Sequence, residues 1–277
     1  MASSSTAYRL AAAAAGTVAA LGLAGAAAGA PRVFSLDQCA DQYVLALAPR
    51  ADIVGLSYRA AAPDSYLRRA AKGLPLRRAS LESVIASRPG VVVREWGGDE
   101  AMARRLEGLG VRVVRIEDAT DFAGVRANVR RVAAALGRTA QGEALIARMD
   151  SQLAAARGAW GGQRALYLTP GGFTAGRGTL VGATMSAAGL TDAASTPGYG
   201  PVSLERLALD PPQRVVLGFF DKASVRAQHW AAVRGGGFRR IVGGRIISSV
   251  PGAFLGCPAW FAADAAVGIA TAAGPRR

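Results

Sequence analysis

The groups in this chain that could do chemistry are few and widely spaced. One histidine, His229, and two cysteines, Cys39 and Cys257, are all that 277 residues offer as imidazole or thiolate ligands. At these spacings a zinc site of the cysteine and histidine type cannot be built without carboxylates, so capture of a bare transition metal is not expected and no metal ligands are assigned. No Gly-x-Ser-x-Gly elbow is present, which removes the commonest hydrolase signal. The stretch TPGGFTAGRGT (169–179) lacks the Gly-Lys-Ser/Thr ending of a phosphate loop. It reads instead as a turn that lets backbone pass close to a ligand. His229, beside Trp230 in a helix-like stretch, reads as a surface or packed residue. The sequence thus points away from an enzyme.

A different pair of groups is repeated. SLESVIASRPGVVV begins at Ser80 and SLERLALDPPQRVVL at Ser203. Each reads as a serine N-cap, a short amphipathic helix, a proline at the same offset and a valine-rich buried strand. Glu82 and Glu205 stand two residues after the serine, not three, so the usual capping box does not form and both carboxylates are left to point outward.

The surrounding elements repeat as well. Strands are expected at 32–35, 51–57, 91–94 and 111–116, with helices at 37–48 and 102–109. The pattern restarts with strands at 164–169, 214–219 and 245–250. Strands alternating with helices make α/β lobes with mostly parallel pairing. Between the two sets, apolar residues recur at helical spacing from about 121 to 156 (Val125, Val129, Val132, Leu136, Leu145, Met149, Leu153), with Gly137 as a punctuation point. The expected fold is two Rossmann-like α/β lobes joined by one long rigid helix. Its divisions are a signal peptide at 1–30, an N-terminal lobe at 31–120, a linking helix at 121–158 and a C-terminal lobe at 159–277.

Composition agrees with a globular exported protein. Hydrophobic residues make up 51% and charged residues 19% of the chain. The net charge of +14 comes from arginines scattered through helical stretches. No dense basic run with interleaved aromatics appears, so nucleic acid is not an expected partner. At the N-terminus, Arg9 precedes an alanine-rich apolar run, and Ala26, Ala28 and Ala30 offer small-residue cleavage patterns before Pro31. Cys39 follows Asp37-Gln38, which does not fit a lipidation box. The mature chain is expected to be periplasmic, monomeric and not membrane-embedded.

Four segments carry a family resemblance: RVFSLDQCADQYVLAL, SLESVIASRPGVVVREWGG, LEGLGVRVVRI and SLERLALDPPQRVVL. From about Arg32 to Ala273 the chain resembles the periplasmic substrate-binding proteins of ABC importers for iron-siderophores, haem and vitamin B12. The resemblance implies a ligand held between the lobes. It also implies that Glu82 and Glu205 dock on arginines of a two-fold permease, which works with its ATPase. The cargo would be a metal chelate such as cobalamin or a ferric siderophore, with no resident cofactor; the alternatives are a haem binder and a non-transport sensor or scaffold on the same fold. The tryptophan and glycines of REWGG resemble a segment of vitamin B12-binding members and favour a corrinoid, whereas net charge favours an anionic iron chelate.

Loops at the C-terminal ends of strands should line the cleft. Ligand-binding candidates are Cys39, Tyr58, Trp96, Phe173, Tyr199, Cys257 and Trp260, the aromatics supplying flat faces for a large chelate. Arg59, Arg94 and Arg177 are candidate partners for an anionic ligand. Cys39 and Cys257 fall on the two sides of the groove. Three readings are open for them: buried thiols, a disulfide, or contact with the ligand's metal.

Overall fold

Valine-rich segments too short for helices fall where strands were expected, and the helices between them cover both sheet faces. The computed structural model describes residues 31–194, 197–219 and 240–274. The expected signal peptide, His229 and Trp230 lie outside them.

The first lobe contains β1 (Val33–Ser35), α1 (Gln38–Leu47), β2 (Ile53–Ser57), β3 (Leu76–Arg77), α2 (Leu81–Ser87), β4 (Val91–Glu95), α3 (Glu100–Gly108) and β5 (Arg112–Ile116). Its sheet is wholly parallel, in the order β3-β2-β1-β4-β5. One face packs Val33, Val91, Val93 and Val114 against α1 and the helix at Phe122–Ala135; the other packs Phe34 and Val92 against Val84 of α2 and Leu106 of α3. Burial on both faces explains why these strands read as unbroken apolar runs.

The second lobe contains β6 (Arg164–Leu168), β7 (Phe173–Ala175), α6 (Leu180–Ala187), β8 (Thr191–Asp192), β9 (Tyr199–Pro201), α7 (Leu204–Leu209), β10 (Arg214–Gly218), β11 (Ile246–Val250), α8 (Gly252–Leu255) and α9 (Ala262–Thr271). Its parallel sheet runs β11-β10-β6-β8. A separate antiparallel ribbon pairs β7 with β9, opposing Phe173 to Pro201 and Ala175 to Tyr199.

The connection departs from the single long helix expected over 121–158. Two helices occupy that stretch, α4 (Phe122–Ala135) and α5 (Thr139–Ala156), packed as a hairpin. Gly137 ends α4 with φ +67°, while Gly137 N–H donates to Ala134 (3.2 Å) and Arg138 N–H to Ala133 (2.7 Å). This pair of bonds is the Schellman stop, which needs a residue tolerant of the left-handed region. At the crossing, a Cβ on Gly142 would lie 2.6 Å from that of Ala133, so the missing side chain lets the two helices touch. The 18 residues of α5 span about 27 Å, and this helix alone runs from one lobe to the other, packed against α9.

The lobes are also stitched by residues 254–264. Tyr43 of α1 donates to the Pro258 carbonyl at 2.5 Å, and Tyr66 donates to Asp264 at 2.7 Å. Tyr66 stacks on Phe261 (centroids 4.4 Å apart), while Tyr43 meets Trp260 edge-on (5.3 Å). Cys257, Ala259, Trp260 and Phe261 belong to the same core as the first lobe's strands.

Candidate ligand-binding groove

In a doubly wound sheet the crevice opens where strand order reverses, outside the C-terminal ends of the strands. In the first lobe the reversal falls between β1 and β4, whose ends lead into Asp37–Cys39 and Glu95–Gly98. In the second lobe it falls between β6 and β10, which end at Leu168 and Gly218. Both reversals face one groove with three connected recesses of about 210, 460 and 480 Å³.

Asp37 organises the first-lobe side. Its carboxylate caps α1 by accepting from Ala40 N–H at 2.8 Å and also accepts from Glu95 N–H at 2.8 Å, tying the two loops together. Burial raises its pKa, opposed by these backbone donors and by Arg94. Glu95 is raised too, by burial first and then by Asp37.

Asp41, one turn further along α1, is wholly buried. It accepts the Ser57 hydroxyl (2.5 Å), the Ser57 N–H (2.9 Å) and the Ser35 hydroxyl, joining the ends of β1 and β2. Burial pushes its pKa up to about 7, against the opposing hydroxyl bonds.

Cys39 and Cys257 form a disulfide with Cα atoms 5.4 Å apart, which selects one of the three open readings. The bond lies at the groove's base: both cysteines are 6% exposed, and the neighbouring Gly256 lines all three recesses. The bridge thus ties the two lobes together beneath residues that line the groove.

Higher on the walls stand Tyr58 (64% exposed), Trp96 (50%), Phe173 (53%) and Tyr199 (74%). Tyr58 and Trp96 come from the first lobe; Phe173 and Tyr199 come from the ribbon of the second. All four line recesses. Trp260 does not join them. At 5% exposure it is packed against Tyr43 and Phe261, so its face is spent on the seam between lobes.

The candidate arginines are placed elsewhere or already engaged. Arg94 is buried beneath the Trp96-Gly97-Gly98 turn, 3.0 Å from Glu100, where a Cβ on Gly98 would come within 2.9 Å of its guanidinium. Arg59 donates to Gln38 (2.6 Å) and Asp64 (2.7 Å). Arg177 is exposed, with Asp192 4.0 Å away. Asp118, Leu180 and Val181 line the groove but were not singled out from sequence. Asp118 follows the end of β5, so the strand-end rule that flagged Trp96 reaches it as well.

Glu82 and Glu205 occupy equivalent places. Each is exposed in the first turn of a helix whose serine cap accepts an N–H three residues on, Ser80 from Ser83 and Ser203 from Arg206. The Glu82 carboxyl is held below its usual range by its own N–H and by the Ser80 hydroxyl.

Two doubly wound lobes presenting their strand-order reversals to one groove define a two-lobed binding-protein fold. The chain belongs to the periplasmic binding protein family, whose pattern matches residues 33–219. Two proteins named cobalamin-binding protein, from two strains of Halobacterium salinarum, are each 27% identical over 197 residues, 68% of this chain and 53% of theirs. The chain thus spans about half the length of these curated relatives. Among solved structures, the periplasmic haem-binding protein BhuT in complex with two haems superposes with TM-score 0.69 at 26% identity, over 89% of this chain and all of that one. The periplasmic vitamin B12-binding protein BtuF of Vibrio cholerae shares the fold (TM-score 0.61, 16% identity, 88% of this chain and 96% of that one). Among the described residues, no helix is long and apolar enough to cross a membrane.

Proposed function

We propose that this protein is the periplasmic solute-binding component of an ABC importer, exported by a cleavable signal peptide. It captures a metal chelate, a corrinoid in preference to a ferric siderophore, and delivers it to a two-fold permease and its ATPase. The observation that carries this reading is the set of four exposed aromatic faces, two from each lobe, around one groove (Tyr58, Trp96, Phe173 and Tyr199). Flat apolar rings that keep a polar edge suit a large planar chelate. The relatives named for cobalamin support the corrinoid. Glu82 and Glu205, one per lobe on identically capped helices, suit a partner made of two equivalent subunits. Binding and delivery, without catalysis, are the whole of the proposed activity.

A second reading is a haem carrier. It draws on the likeness to BhuT and on the exposed hydroxyls of Tyr58 and Tyr199, a residue type that can ligate haem iron. Titration of the purified protein with cobalamin, cobinamide, haemin and several ferric siderophores decides between them. Saturable binding of a corrinoid with quenching of Trp96 fluorescence is expected. Binding of haemin alone would establish the second reading, and binding of none would refute both.

A further inference from the structure

The recess around the disulfide has an unexpected charge for a chain of net +14. Glu95, Trp96, Asp118, Leu180 and Tyr199 line it around the disulfide, and among the described residues no basic side chain does so. Asp37 stands immediately beyond, with carboxylate oxygens of Asp37 and Glu95 within 4.8 Å of each other. Of the nearby cations, Arg59 is held by Gln38 and Asp64 and Arg94 is buried against Glu100, while Arg77 and Arg78 line a neighbouring recess, which Asp37 and Glu95 also border, and do not line this one. Fields near a site are set by the charges that line it, because salt screens the more distant surface beyond about 8 Å at physiological ionic strength.

Resting on the corrinoid reading above, we infer that Glu95 and Asp118 sort chelates by the charge of their periphery. They accept from amide N–H groups and attract a cationic ring, and they repel rings edged with carboxylates. Trp96 and Tyr199, in the same recess, supply flat contact area that every such ring shares. Burial first, and then the neighbouring Asp37, raises the Glu95 pKa; the crowding of the two carboxylates is relieved by a cation or an amide donor and worsened by a further carboxylate. Charge selection is thereby assigned to the recess that Glu95 and Asp118 line and no arginine does.

Two probes with the same flat ring test this on the full chain: aquocyanocobinamide, a cation edged with amides, and cobyrinic acid, whose corresponding groups are carboxylates. Isothermal titration at pH 7 and low salt should show the amide form binding about tenfold or more tightly. Raising the salt should narrow that ratio, and so should Glu95→Gln with Asp118→Asn. Asp118→Asn alone, at an exposed position, serves if the double variant melts early. Equal or tighter binding of the carboxylate form would overturn the inference, as would a ratio unchanged in a variant that melts like the parent. Either result would leave the corrinoid reading standing. Failure of both corrins to bind would instead remove that reading, and this inference with it.

Discussion

Cys39 and Cys257 are bonded to each other across 218 residues of sequence, joining the start of α1 to the segment that leads into α9. The same segment is held to the first lobe by Tyr43, Tyr66, Trp260 and Phe261. The covalent link therefore reinforces a seam that packing already closes. Its main effect falls on the unfolded chain, whose freedom a loop of this length restricts. Replacing both cysteines by serine should cost about 2–5 kcal/mol in guanidinium unfolding, while chelate affinity changes far less. Affinity lost with stability unchanged would show that the bond shapes the groove directly.

Two tryptophans that were both expected to line the cleft should separate cleanly. Trp260→Ala empties a core position and should cost about 3–5 kcal/mol of stability. Trp96→Ala removes a half-exposed ring and should cost about 1 kcal/mol or less, yet weaken chelate binding. Thermal melts beside titrations read both effects. A stable Trp260→Ala protein that no longer binds would place that ring in the groove after all.

Asp41 predicts a stability that falls as pH rises. Its folded pKa of about 7 lies above the ordinary aspartate value of 3.8, so between those values the folded state holds the proton more tightly. The contribution is fully present below about pH 4 and is lost as pH climbs through 7, with a slope of up to about 1.4 kcal/mol per pH unit. Asp37 and Glu95, also raised, act in the same direction. Asp41→Asn should flatten the profile between pH 4.5 and 7.5. A wild-type melting temperature that climbs over that range would refute the assignment.

Charge reversal at both Glu82 and Glu205 should abolish uptake by cells while leaving chelate affinity intact. Each single reversal should give an intermediate loss, because the carboxylates occupy separate lobes. Undiminished uptake by the double variant would remove docking as their role.

The strands and capped helices were legible because each is written locally: short valine-rich runs, a serine or aspartate at the cap, a proline past the end. The break between α4 and α5 was not, because apolar spacing continues through it and the stop depends on one glycine and the bonds behind it. Gly137 was visible as punctuation, but the closeness of Gly142 to Ala133 exists only once the hairpin has folded. Trp260 was misplaced for a related reason. A loop between strand and helix is expected to face the crevice, and only tertiary packing reveals that this one turns its ring onto Tyr43. Arg94 was read as a candidate partner for an anionic ligand, since nothing in REWGG announces that the following glycines close over it. Asp41 was not singled out, because its importance comes from two serines, six and sixteen residues away.

With its base fixed by the disulfide and its neighbouring rings, the groove behaves as a pair of levers sharing one fulcrum. Displacement then grows with height above the pivot. Asp37, tied to the pivot through the cap of α1, would then move least for a given rotation, and the exposed rings of Tyr58 and Phe173 would move more.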